Sequence, residues 1–246
     1  MPKHVLVLGA GGWGTCLAVH LHRKGLDTRL WGHRPEYVDW LRRYRENTRY
    51  LPGVSIPEGI EIFSELKPAL AGLDYLVMAV PTQVCRSVLI HLVEHVREGL
   101  GVISVAKGIE NETLLRPSDI IKDVLGKVRV AVLSGPSHAE EVARQLPTSL
   151  VAASKDDDLA KQVQHLFSAD SLRVYTNLDM VGVELGGAVK NVIAVAAGIC
   201  DGLGLGDNAK ASLLARGMIE VARLGVALGA KKSTFSGLSG FGDLVT

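Results

Sequence analysis

At 246 residues the chain approaches the size at which single hydrophobic cores stop growing, so one large domain and part of a second are expected. Its 27 Lys and Arg balance 26 Asp and Glu, which excludes the basic field needed to hold nucleic acid or an anionic membrane surface and leaves a small molecule as the expected ligand. Cys16, Cys85 and Cys200 lie far apart, with neither CxxC spacing nor a companion His cluster, so neither a disulfide framework nor a metal site is expected and a cytoplasmic location fits.

Met1-Pro2-Lys3-His4 leads straight into an apolar run and is too short for a signal peptide. The first predicted strand, Val5 to Leu8, enters Gly9-Ala10-Gly11-Gly12-Trp13-Gly14, and Thr15 to Lys24 has helical character. In that strand-turn-helix context Gly9 permits the tight turn, Gly11 lets a pyrophosphate approach the backbone and Gly14 lets helix and strand pack closely. The diphosphate then rests on the positive helix N-terminus. Trp13, inside the turn, is a candidate cofactor contact, whereas Trp31 reads as core.

A strand at Thr28 to Trp31 ends in Gly32-His33-Arg34, where NAD sites of this kind normally carry an Asp or Glu for the ribose hydroxyls. Without that carboxylate, His33 and Arg34 suit a 2′-phosphate, which favours NADP(H) while leaving NAD(H) open. The competing reading makes the pair the solvated start of a loop. Pro52 to Pro57 reads as a loop within the first domain. Further strands at Tyr75 to Val80, Gly101 to Val105, Val130 to Leu133, Ser149 to Ala153 and Leu172 to Tyr175 alternate with helix-length segments. This is the pattern of a parallel sheet buried on both faces, and it predicts a Rossmann-type α/β domain over residues 1–180.

Two segments at strand ends invite chemistry. Lys107 follows the strand at 101–105, the edge at which such sheets bind ligands, and suits a substrate oxygen or phosphate. Ser134-Gly135-Pro136-Ser137 follows the strand at 130–133; Ser137 with Glu140 forms a capping box, and the same helix start offers Gly135 and Ser137 to an anionic substrate. Lys155-Asp156-Asp157-Asp158 reads as a turn into a helix. His20, His22, His91, His95 and His165 read as solvated rather than as ligands.

From about Val181 the strand signal ends. Helices over Val183 to Cys200 and Asn208 to Leu228, separated by a Gly-rich turn at Asp201 to Gly206, predict an all-α second domain over residues 181–246. No apolar stretch approaches the roughly 18 residues of a membrane span. Lys190 sits in an otherwise nearly apolar helix, with Gly186 and Gly187 on the surface its side chain leans over, so two missing side chains leave room for a ligand. Reduction of a ketone by hydride needs a group that stabilises and protonates the alkoxide, and lysine does both. Asp243, in Gly240-Phe241-Gly242-Asp243, is a candidate for orienting Lys190 or for accepting a substrate hydroxyl, a role its chemistry allows but no spacing in the sequence points to.

With these segments assembled, the chain resembles the bacterial NAD(P)-dependent glycerol-3-phosphate dehydrogenases throughout its length. The resemblance rests on Gly9-Ala10-Gly11-Gly12-Trp13-Gly14-Thr15, Leu30-Trp31-Gly32-His33, Lys107-Gly108-Ile109-Glu110, Ser134-Gly135-Pro136-Ser137, Gly186-Gly187-Ala188-Val189-Lys190-Asn191 and Gly240-Phe241-Gly242-Asp243-Leu244-Val245. It implies that Lys190 is the proton acceptor and that Lys107, Gly135, Ser137, Lys190 and Asp243 contact glycerol 3-phosphate or dihydroxyacetone phosphate. It also implies that Gly12, Trp13, His33, Lys107 and Ala139 line the NADPH site, that the enzyme is a homodimer, and that it feeds glycerophospholipid synthesis. The family pattern runs on past Thr246 into a Ser-Arg-Asn motif, so the resemblance implies an incomplete substrate domain and low turnover for the chain as it stands. The alternatives are a related two-domain dehydrogenase with another substrate, which the Lys190 motif opposes, and a catalytically silent nucleotide binder, which Lys107, Lys190 and Asp243 oppose.

Overall fold

Strand β1 (His4–Leu8) carries the apolar run Val5–Leu8, every residue of which is fully buried within an eight-stranded sheet. The computed structural model describes residues 3–246, so Met1 and Pro2 of the predicted lead-in lie outside the described residues. After β1 come α1 (Gly12–Arg23), β2 (Asp27–Trp31), α2 (Pro35–Tyr44), β3 (Glu46–Asn47), β4 (Leu51–Ser55), β5 (Glu61–Phe63), α3 (Leu66–Ala69), β6 (Tyr75–Met78), α4 (Thr82–Ile90) and β7 (Gly101–Ser104). The chain continues through α5 (Pro117–Leu125), β8 (Arg129–Ser134), α6 (Ala139–Ala143), β9 (Thr148–Ala153), α7 (Asp157–Phe167) and β10 (Leu172–Asn177), then α8 (Met180–Gly202) and α9 (Asp207–Ala227).

The strand order β10-β9-β8-β7-β6-β1-β2-β5 reverses its winding between β1 and β6, so the carboxyl ends of those two strands part and leave a crevice. Leu17, Leu21 and Val163, from α1 and α7, cover one face; Leu89, Ile120 and Ile121, from α4 and α5, cover the other. Cover on both sides is why β1 reads as an unbroken apolar run rather than an alternating one.

The structure adds β3, β4 and β5 to the predicted strands. Pro52 and Gly53 inside β4 are strand breakers that the sheet tolerates only at an edge, and β3 has just two residues, so neither produces a strand pattern. The expectation of a wholly parallel sheet is corrected: β9 runs antiparallel to β8, with Ser134 opposite Val151. Residues 135–147 join them, and their one helix, the five-residue α6, is about 7 Å long at 1.5 Å per residue, too short to lie back along β8 as a parallel crossover helix does.

Beyond β10 the chain is helical. Asp179 caps α8, accepting from the Gly182 N–H at 3.0 Å, and also accepts from the Lys231 N–H at 2.8 Å and Thr234 Oγ1 at 2.6 Å. It thereby ties the start of α8 to the 3₁₀ turn at Lys232–Ser236 and the π-helical turn at Leu238–Gly242 that lead to Asp243. With 23 residues, α8 is long and apolar enough to cross a membrane by length and composition, which corrects the expectation that no such stretch exists. Here it packs on α9 and engages Glu184 and Lys190 in polar contacts.

Candidate active site

A cavity of about 720 Å³ opens at the crevice, lined by the glycine turn, Trp31 to Arg34, Ala79 to Pro81 and Val105 to Lys107. Gly9 has φ +119°, and a Cβ there would lie 2.6 Å from the Ala79 carbonyl. A Cβ on Gly14 would run into the Gly9 carbonyl, so this glycine brings α1 against β1. Gly11 has open space beside it and lines the cavity, while Gly12 lets the Tyr50 carbonyl pass close by. The first turn of α1 carries no acidic residue and no side-chain cap, so its N–H groups and the helix dipole remain available to an anion. Trp13 is half-buried on the cavity wall, and Ala139, at the start of α6, lies across from Gly12.

At the end of β2, His33 is exposed on the rim. Arg34 is held more firmly: its Nη2 donates to Tyr50 Oη at 3.1 Å, and its guanidinium lies 5.6 Å from the Tyr37 ring centroid. Its Nε is buried without a partner. A guanidinium braced this way beside a cavity suits an anionic group, and the cavity, the bare helix start and the orphaned Nε together fit a dinucleotide.

Five separately predicted residues form one connected chain of hydrogen bonds. Ser137 Oγ donates to the Gly135 carbonyl at 2.9 Å, and Lys107 Nζ donates to the same carbonyl at 3.1 Å and to Asp243 Oδ2 at 2.6 Å. Lys190 Nζ donates to Asp243 Oδ1 at 2.5 Å and to the Asp243 backbone carbonyl at 2.6 Å. The Asp243 side chain is only 1 % exposed, so one buried carboxylate serves two ammonium groups. Burial pushes the Lys107 pKa below the usual lysine value; pairing with Asp243 opposes the shift, and the charge of Lys190 adds to it.

Three expectations are corrected. A Cβ on Gly186 would run into the Ser239 carbonyl, and one on Gly187 would lie 3.0 Å from Ser134 Oγ and 3.5 Å from Lys107 Cγ. These glycines therefore bring α8 into close packing rather than leaving room for a ligand. Ser137 does not cap α6, which starts at Ala139 with His138 at its cap and no side-chain cap bond. His20 is not solvated: its Nε2 lies 2.7 Å from the Phe167 carbonyl, and burial lowers its pKa. Asp156 does cap α7, accepting from the Leu159 N–H at 3.1 Å.

Sequence reasoning missed Tyr37 and Tyr50, which brace Arg34, Asn47, which holds both tyrosines, and Glu184 with Arg116, which anchor α8. A signal existed only for Glu184, the one carboxylate in the first four turns of an apolar helix.

Cavity and cluster meet at Lys107, which lines the one and belongs to the other. A cavity fit for a dinucleotide that opens directly onto two lysines paired to one buried aspartate is the arrangement of a nicotinamide-dependent oxidoreductase. Family models described as the N-terminus and C-terminus of NAD-dependent glycerol-3-phosphate dehydrogenase match residues 4–160 and 179–246, and the chain belongs to that family. It is 51 % identical over 248 residues to the glycerol-3-phosphate dehydrogenase (NAD(P)+) of Geobacter metallireducens, spanning 100 % of this chain and 74 % of that protein. The Chlorobium limicola enzyme of the same name is 49 % identical over 245 residues, covering 98 % of this chain and 74 % of its own. The crystal structure of glycerol-3-phosphate dehydrogenase from Coxiella burnetii superposes with a TM-score of 0.95 at 39 % identity, over 99 % of this chain and 75 % of that one.

Proposed function

We propose that the chain interconverts sn-glycerol 3-phosphate and dihydroxyacetone phosphate, using NADP(H) in preference to NAD(H), and so supplies glycerophospholipid synthesis in the cytoplasm. The observation that carries this reading is Lys190, anchored twice on a buried aspartate beside the dinucleotide cavity. A nicotinamide held in that cavity would supply or accept the hydride at C2. Lys190 takes the C2 hydroxyl proton during oxidation and returns it during reduction, and its charge stabilises the alkoxide. Asp243 orients Lys190 and Lys107 together. Lys107, Gly135 and Ser137 bind the substrate, with the Lys107 charge drawing its anionic end. Gly9, Gly11, Gly12, Trp13, Gly14, His33, Arg34, Lys107 and Ala139 would hold the cofactor, with the Arg34 guanidinium as the group suited to a 2′-phosphate. Residues 1–180 act as the cofactor domain and residues 181–246 as substrate domain.

The deciding experiment follows NADPH oxidation with dihydroxyacetone phosphate, titrated to saturation, in wild type and Lys190→Ala. The variant is expected to lose at least about 100-fold in kcat. Equal rates in the two proteins defeat the assignment of Lys190. We also expect a homodimer, in keeping with the exposed apolar stripe Val192, Val195 and Ile199 on α8; light scattering reads the mass directly.

A further inference from the structure

Asn47 is fully buried, and both ends of its amide are doubly engaged. Nδ2 donates to the Ala10 carbonyl at 3.1 Å and to Thr15 Oγ1 at 2.7 Å, inside the glycine turn and the first turn of α1. Oδ1 accepts from the Tyr50 N–H at 3.1 Å and from the Tyr37 hydroxyl. Burial raises the Tyr37 pKa above the usual phenol value, so that hydroxyl remains a donor. The two tyrosines meet edge to face with ring centroids 5.8 Å apart, and between them they brace Arg34. One side chain therefore links the turn that receives a diphosphate to the residues that hold the guanidinium.

We propose that Asn47 is a positioning residue for cofactor selectivity: by mooring Tyr37 and Tyr50 against the glycine turn, it sets Arg34 at the distance from the diphosphate that a 2′-phosphate requires. This rests on the reading of Arg34 as the phosphate ligand. The separation between diphosphate and 2′-phosphate is a fixed property of the cofactor, so selectivity depends on two protein groups keeping a matching separation. Arginine is long and flexible, and discriminates well only when its rotamer is held. Asparagine suits the task because it donates on one side and accepts on the other; aspartate would lose both donations, and glutamine would force an extra methylene into a fully buried slot.

The test is titration of NADPH and NADH by fluorescence in wild type, Arg34→Ala, Tyr37→Phe, Tyr50→Phe and Asn47→Ser. Arg34→Ala is expected to lower the ratio of NADPH to NADH affinity at least about 10-fold. Tyr37→Phe and Tyr50→Phe should each lower it by about 3- to 10-fold while NADH affinity stays within about twofold. Asn47→Ser should lower the ratio and also weaken both nucleotides, because it touches the glycine turn as well. In an Arg34→Ala background, Tyr37→Phe should change the ratio no further. If Arg34→Ala shifts the ratio but the tyrosine and asparagine variants do not, the positioning role is overturned and the phosphate reading survives. If Arg34→Ala leaves the ratio unchanged, the phosphate reading fails and the positioning role falls with it. An Asn47→Ser protein that weakens both nucleotides equally is a purely structural defect and counts against the proposal; should that variant not fold, Tyr37→Phe, which removes a single hydroxyl, decides.

Discussion

Lys190 meets Asp243 twice, donating to its Oδ1 at 2.5 Å and to its backbone carbonyl at 2.6 Å. Two bonds to one residue fix the ammonium and leave its third N–H for a substrate oxygen. The same carboxylate holds Lys107, so an amide in its place must turn an NH2 towards one of the two cations. Asp243→Asn is therefore expected to lower kcat/KM for dihydroxyacetone phosphate by about 10- to 100-fold, the range for a lost hydrogen bond to a charged group. Steady-state kinetics check this, and an undiminished kcat/KM removes Asp243 from the orienting role.

Lys107 predicts a pH effect. Burial lowers its pKa despite the opposing pull of Asp243, so its charge is present below the shifted value and is lost as pH rises through it, earlier than for an ordinary lysine. Substrate affinity should then weaken on the alkaline side while exposed lysines are still charged. In Lys107→Arg the guanidinium stays charged across the whole range. KM for dihydroxyacetone phosphate, followed from neutral pH to about pH 10, should rise in wild type and stay level in the variant. The same alkaline rise in both proteins points to some other group.

How much of this was legible follows from how locally each feature is encoded. The glycine turn is contiguous with β1 and α1, so strand, turn and helix announce it together. Lys190 and Asp243 are 53 residues apart, so pairing them ahead of the fold rested on their chemistry and on the family resemblance, not on any spacing. Asn47, Tyr37 and Tyr50 converge through a two-residue strand and a loop, where no periodicity operates. Helical spacing did place Gly186 and Gly187 beside Lys190, but spacing identifies a face and not what fills it; Ser239 and Ser134 fill it. The direction of β9 depended on the length of α6, a boundary that pattern reading resolves poorly.

Glu184 anchors α8 to the start of α5. Its carboxylate accepts from Arg116 Nη1 at 2.7 Å, from the Ser118 N–H at 2.8 Å and from Ser118 Oγ at 2.6 Å, and it is almost wholly buried. Arg116→Ala strands that charge and should cost about 3–5 kcal/mol of stability. Burial pushes the Glu184 pKa up, while Arg116 and Ser118 pull it back. A raised folded pKa means that the stabilising contribution is complete below the unfolded carboxylate value and is lost as pH rises through the folded one. Removing Arg116 takes away an opposing influence, so Arg116→Ala should lose stability more steeply than wild type as pH rises above the ordinary carboxylate range. Glu184→Gln, with no proton to exchange, should have the flattest profile of the three. Urea midpoints at several pH values check the order, and parallel profiles contradict it.

The two glycines before Lys190 separate packing from ligand space. At Gly186 an added Cβ meets only backbone, the Ser239 carbonyl and Gly240 Cα, which can yield only if the π-helical turn carrying Asp243 moves away from α8. At Gly187 the added methyl meets Ser134 Oγ and the Lys107 stem, both of which can rotate or flex. Gly186→Ala should therefore destabilise by about 1–3 kcal/mol and lower kcat, because the overpacked turn draws Asp243 off Lys190. Gly187→Ala should cost less stability and act chiefly on KM, through the displaced Lys107. Thermal midpoints and a comparison of kcat with KM distinguish the two sites. If Gly187→Ala abolished substrate binding while both variants kept wild-type stability, the space beside Lys190 would belong to the ligand, as the spacing alone suggested.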